Sequence, residues 1–202
     1  ISSASGKVGK FNFKDFANLE SINFLSDVTY IEESAFEECS SLVSFEIPPL
    51  VTEIMPNTLY GCSSLVSIKI PQSVTSIDES SFALCSLLEE INIPETVTYI
   101  GPSAFYECSS LTNIVIPSSI NIIENSTFKG CTSLTQITIP DSVYKIEDSA
   151  FENCSSLATI YIPSSVNYIG KLCFCRCSSI EFITLPSTIK SIKQGLFQKC
   201  RS

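Results

Sequence analysis

The 202-residue chain carries twelve Lys and Arg against twenty-one Asp and Glu, a formal net charge of −9, and contains no His. An acidic balance of this size disfavours nucleic acid as a general partner, and without His the usual Ser/His or Cys/His activation of a nucleophile is absent. At 44% hydrophobic residues the chain can bury a long core, yet its longest apolar runs fall far short of a membrane span, so no insertion into a bilayer is expected.

Taken from the N-terminus, residues 1–12 match the later repeats only weakly and are expected to form a flank or partial cap. From residue 13 a 23-residue period takes over. Cysteines stand at Cys39, Cys62, Cys85, Cys108, Cys131, Cys154, Cys177 and Cys200. A leucine column runs Leu19, Leu42, Leu65, Leu88, Leu111, Leu134, Leu157, Ile180, and an aromatic one from Phe13 and Phe36 through Leu59 to Phe82, Phe105, Phe128, Phe151, Phe174 and Phe197. Residues recurring at one period occupy the same place in successive coils, so residues 13–202 are read as a single solenoid of about eight repeats. The chain does not open with Met and stops in mid-repeat, two residues after Cys200. It is therefore expected to be a truncated piece of a longer protein, whose targeting signals it cannot report.

Each unit opens with L-x-x-I-x-I-P, as in Leu65 to Pro71. Its period-2 alternation predicts a short strand with Ile68 and Ile70 inward and Ser67 and Lys69 outward. The column Pro48, Pro71, Pro94, Pro117, Pro140, Pro163, Pro186 lacks the N–H a ladder needs and should end every strand at one height. Successive strands then stack in parallel about 4.8 Å apart. Pairs such as Val74/Ile77 and Val143/Ile146 predict a return to the core through a second short strand or turn. The S-A-F-x-x-C stretch predicts one or two helical turns on the side opposite the sheet, with Ser34/Glu37 and Ser149/Glu152 fitting a reciprocal N-terminal cap.

The ten cysteines read as buried free thiols. Equivalent side chains in a stack point in parallel, a poor start for a disulfide, and Phe16 occupies the same column, so the slot takes apolar groups. Cys173, Cys175 and Cys177 form C-F-C-R-C, but no fourth ligand or His completes a zinc site. Cys173 replaces a small core residue, Cys177 belongs to the ladder, and Cys175 falls at an exposed position, which makes it the candidate reactive thiol. Asp78, Glu124 and Glu147 form an acidic column that could draw calcium, but Gly101 interrupts it. The seven glycines form no phosphate-cradling loop. No catalytic residue, cofactor or metal ligand is expected, and the chain is not read as an enzyme.

The unit I-P-x-S-V-x-x-I-x-x-x-A-F-x-x-C-S-S-L-x-x-I, clearest in residues 116–139 and 139–162, resembles the BspA-like class of leucine-rich repeats over almost the whole chain. The resemblance implies a curved, right-handed leucine-rich-repeat solenoid with a parallel β-sheet on its concave face. Proteins similar to this are typically surface-exposed or secreted by mucosal bacteria and parasitic protists and take part in adhesion to host-cell and matrix proteins. Free thiols in such number suit a reducing compartment; burial reconciles them with a location outside the cell, because an inaccessible thiol oxidises slowly. Asn125-Ser126-Thr127 and Asn153-Cys154-Ser155 match the glycosylation acceptor pattern.

A sheet on the concave face presents its outward strand residues to a partner. The candidates are Lys69, Glu90, Val115, Thr138, Tyr161, Phe182 and Thr184, with Val115, Tyr161 and Phe182 as the exposed apolar and aromatic anchors that binding surfaces favour. Charge is segregated as well: Asp15 to Glu124 holds sixteen acids and one base, Lys171 to Arg201 six bases and one acid. The basic end could meet the acidic body of a second copy, end to end, or a polyanion. The expected role is protein recognition and adhesion at the cell surface or after secretion; the alternatives are a structural spacer or an intracellular, cytoplasmic scaffold.

Overall fold

The computed structural model describes residues 6–200; residues 1–5 and 201–202, where part of the N-terminal flank and Arg201 fall, lie outside the described residues. Fourteen short strands follow one another along the chain. They are β1 (Lys7–Val8), β2 (Tyr30–Ile31), β3 (Ser44–Glu46), β4 (Glu53–Ile54), β5 (Ser67–Lys69), β6 (Ser76–Ile77) and β7 (Glu90–Ile91). Then come β8 (Tyr99–Ile100), β9 (Asn113–Val115), β10 (Ile122–Ile123), β11 (Gln136–Thr138), β12 (Lys145–Ile146), β13 (Thr159–Tyr161) and β14 (Tyr168–Ile169).

The I-x-I-P strands β3, β5, β7, β9, β11 and β13 lie on the concave face, and the V-x-x-I strands stack as a second line. Pairing is parallel and keeps the 23-residue register, as in Gln136 beside Asn113 and Thr159. Neither line is continuous. Among the described residues the concave ladder is interrupted between β5 and β7, and the second between β2 and β4 and between β8 and β10. β1 places the end of the flank on the second line, beside β2, with Val8 buried.

Helical turns are not what the S-A-F-x-x-C stretch forms: no helix occurs among the described residues. Two positions per coil, four residues apart, sit in the left-handed region, for example Ser34 (φ 55°) with Glu38 (φ 60°) and Ser149 (φ 57°) with Asn153 (φ 62°). An α-helix needs φ near −63° at every residue, so this backbone cannot wind one. Instead it turns its N–H groups towards the next coil: Ser34 donates to the Pro56 carbonyl at 3.0 Å, Phe36 to Thr58 at 3.0 Å and Glu38 to Tyr60 at 2.7 Å. This third line of inter-coil bonds supplies the partners a helix would have found within itself. The Ser/Glu pairs consequently do not cap helices. Glu37 is held by Lys14 at 2.7 Å and Glu152 by Lys129 at 2.9 Å, each one coil earlier.

Inside the coil, Leu42, Leu65, Leu88, Leu111, Leu134 and Leu157 are fully buried, as are the cysteines from Cys39 to Cys177 on the 23-residue column. Burying one such leucine is worth roughly 1.5–3 kcal/mol. From Phe82 to Phe197 the aromatic column is one continuous stack, with ring centroids 5.5–5.8 Å apart and planes within 12° of parallel. Phe13 and Phe36 form a separate stacked pair at 4.9 Å, because Leu59 stands between them and Phe82.

Candidate functional site

Strand alternation sets the concave surface. With Ile114, Ile137 and Ile160 buried on the inner side of β9, β11 and β13, the flanking residues must face outward. One outward column runs Glu46, Lys69, Asn92, Val115, Thr138, Tyr161, Thr184, and a parallel one Ser44, Ser67, Glu90, Asn113, Gln136, Thr159, Phe182.

The chain at residues 182–184 passes beside β13 without joining its ladder, since β13 pairs with β11 alone. The loosened edge opens a groove of about 400 Å³ that gathers Thr138, Tyr161, Phe182 and Thr184, with Gln136 and Thr159 completing its rim. Tyr161 and Phe182 are each 72% exposed, and among the described residues no charged side chain lines the groove. A second groove, of about 290 Å³, lies at the interruption between β5 and β7 and brings together Glu90 and Val115 with Ser67, Asn92 and Asn113. Lys69 stays outside both. Its ammonium pairs with Glu46 at 2.6 Å, both side chains remaining mostly exposed.

Cys175 is not exposed; at 5% it is buried. Its column holds Lys14, Glu37, Tyr60, Ala83, Tyr106, Lys129 and Glu152, and its two shortest side chains, Ala83 at 1% and Cys175, are the buried ones. Burial in this column thus follows side-chain length, which column position alone does not reveal. The other thiols are buried and free apart from half-exposed Cys200. Burial pushes Cys131 and Cys177 up to about 12 and Cys39 up to about 11, leaving little thiolate to react near neutral pH. Among the described residues no three His, Cys, Asp or Glu side chains gather as a metal-binding group. Of the two glycosylation motifs, Asn125 is exposed and Asn153 half-buried.

A third groove lies outside the concave face, on the second strand of the units, where no expected partner-binding residue falls. It lies where the second line breaks between β8 and β10, measures about 230 Å³, and is lined by Thr98, Tyr99, Asn121, Ile122, Glu124 and Tyr144 among others. The available signal was a Tyr within the V-x-x-I stretch of several units, at Tyr99 and Tyr168 in one column and at Tyr144 in the column beside it.

Parallel strands from 23-residue coils around one leucine, phenylalanine and cysteine core define a leucine-rich-repeat solenoid. The BspA type leucine-rich repeat model, in six copies, matches residues 6–122 and 98–202, and the chain belongs to this family. The structure is similar to that of a leucine-rich repeat protein from Bacteroides ovatus, at 34% identity and a TM-score of 0.87, covering 90% of this chain and 47% of that one. It is also similar to the T. pallidum leucine-rich repeat protein, at 30% identity and a TM-score of 0.73, covering 80% and 75%. A leucine rich cell surface protein of Faecalibacterium prausnitzii shares 28% identity with a TM-score of 0.61, covering 96% and 61%. The chain thus spans about half the length of the B. ovatus protein. No curated protein sequence matches it.

Proposed function

We propose that this chain is a non-catalytic recognition module of a cell-surface or secreted protein, adhering to host-cell or extracellular-matrix proteins through its concave sheet. The observation that carries the reading is the groove at the edge of β13. Two aromatic side chains, each 72% exposed, stand over a floor of Ile137, Ile160 and Ile183 among hydroxyl and amide groups. Exposing such rings to water is unfavourable, and rigid aromatics at the centre of a polar rim are what protein-binding surfaces use as anchors. Family membership supports the reading, since leucine-rich repeat solenoids typically serve as protein-interaction modules, and so does the F. prausnitzii cell surface protein.

The test is a binding screen of the chain and of its Tyr161→Ala/Phe182→Ala variant against host-cell and matrix proteins, with circular dichroism showing that both are folded. Saturable binding by the chain alone supports recognition. Equal binding by both moves the site elsewhere, and binding by neither leaves the spacer role.

A further inference from the structure

The groove on the second ladder stands apart from the concave face and has a chemistry of its own. Tyr99 and Tyr144 belong to coils two repeats apart but to neighbouring columns, Tyr99 in line with Ile122 and Lys145 and Tyr144 in line with Thr98 and Asn121. Their backbones therefore lie roughly 10 Å apart diagonally at 4.8 Å per coil, with Asn121 and Ile122 in the coil between them. The two rings, 42% and 45% exposed, wall a slot. Glu124 reaches the same slot, and its half-buried carboxylate makes no hydrogen bond or ion pair among the described residues.

The surroundings are acidic. Burial and the charge of Glu147 raise the Glu124 carboxyl, with Lys145 opposing. Burial and Glu53 raise Asp78, and burial followed by the charges of Glu124, Asp78 and Glu79 raises Tyr99. Among the described residues Lys145 is the cation that acts on Glu124, and it is engaged by Glu147 at 2.5 Å and lies over the Tyr168 ring. Carboxylates therefore outnumber ammonium groups around an aromatic slot whose own acid feels the Lys145 charge but is not directly paired with it, because that ammonium is bound by Glu147.

We propose that this slot binds the guanidinium of an arginine side chain on a basic partner polypeptide, stacked between Tyr99 and Tyr144 and hydrogen-bonded to Glu124. Guanidinium is planar, stacks on aromatic faces and presents a two-pronged donor edge to a carboxylate, and its weak hydration makes transfer into a part-buried slot easier than for an ammonium ion. Lysine offers only a compact, strongly hydrated charge. Acidic neighbours add attraction at longer range. The site is independent of the concave groove, so a partner can engage either face alone.

The experiment follows the tyrosine ring signals of the whole chain by NMR. The chain is titrated with a neutral peptide carrying one arginine, and with the same peptide carrying citrulline or lysine instead. The expected result is saturable shifts at Tyr99 and Tyr144 with the arginine peptide, at least tenfold weaker for lysine and absent for citrulline. Binding should weaken at least tenfold in Glu124→Gln and in Tyr99→Ala, and should also weaken as pH falls and Glu124 takes up its proton. Indistinguishable responses to arginine and citrulline, full binding by Glu124→Gln, or shifts produced by calcium alone would overturn the assignment. Both substitutions are at solvent-accessible positions, and circular dichroism verifies the fold of each variant.

Discussion

The Cys131 thiol donates a hydrogen bond to the main-chain carbonyl of Phe105, 26 residues earlier and one coil back, at 3.2 Å. The same carbonyl already accepts the N–H of Cys108 in its own coil. The relation recurs from Cys39 on Phe13 to Cys200 on Phe174, with distances between 2.9 and 3.3 Å. The cysteine column is thus more than a set of small apolar fillers. Each sulfur packs as a hydrophobe while its weak S–H donor occupies the second lone pair of a buried carbonyl. Alanine would leave that lone pair unused and valine would crowd it.

Cys131→Ala is accordingly expected to lower stability by about 1–2 kcal/mol, from a small cavity and a lost weak hydrogen bond. Urea denaturation measures the difference. Thiol counting gives a companion result: with all ten cysteines free and nine of them buried, a thiol reagent should label at most Cys200 rapidly in the native chain and all ten after unfolding. Rapid labelling of several thiols in the native chain would contradict the burial described.

The aromatic column predicts a larger effect. Phe105 is fully buried and stacked on both sides, at 5.5 Å to Phe82 and 5.6 Å to Phe128. Phe105→Ala should cost about 3–5 kcal/mol, measurable as a fall in the denaturation midpoint. A cost below about 1 kcal/mol, well under the usual range for a buried Phe, would contradict the burial and packing described for this column.

Backbone conformation gives a prediction of opposite sign. Glu107 is exposed yet held at φ 54°, in the column where Gly61 and Gly130 stand at φ 71° and 80°. A residue with a Cβ pays about 1–2 kcal/mol in the left-handed region, less the entropy glycine loses on folding. Glu107→Gly should therefore stabilise the chain, by about 0.5–1 kcal/mol, and raise its melting temperature.

Much of the core was legible in the sequence, because burial imposes residue type at every coil: Leu42 to Leu157 and Cys39 to Cys177 could only face inward. The concave candidates followed from the same alternation, and four of them, Thr138, Tyr161, Phe182 and Thr184, share one groove. The non-helical turn was hidden because Ser34, Glu38 and Leu84 carry no conformational label; Gly61 and Gly130 were the hints. The grooves themselves depend on interruptions of the ladders, as between β5 and β7, where the flanking motifs differ in no residue type that would announce one.

Protonation supplies a pair of opposed variants. Burial, and then Glu53, raise the Asp78 carboxyl, so its charge opposes folding. The folded chain is favoured most below the unfolded carboxyl pKa of about 4 and loses that advantage as pH rises through the raised folded value. Asp78→Asn should then melt higher than the parent at pH 7, by on the order of a degree, with the gap closing in acid. Burial also pushes Glu152 up, but hydrogen bonds from Lys129 and Ser149 and the charges of Lys129 and Arg176 outweigh it and lower the carboxyl. Its contribution is present above about pH 4 and lost as pH falls through the lowered value. Glu152→Gln should melt lower at pH 7, and its gap should also close in acid. Melting curves at pH 7 and pH 3 decide both signs.

Recognition is assigned above all to the concave groove at the edge of β13. Its most direct measurement is the affinity of the chain for an immobilised host-cell or matrix protein, compared between Tyr161→Ala/Phe182→Ala and Tyr99→Ala/Tyr144→Ala, the second pair removing rings from the other ladder. The concave pair should weaken binding at least tenfold while the other pair leaves it within twofold. Equal loss from both pairs, or none from the concave pair, would contradict the assignment.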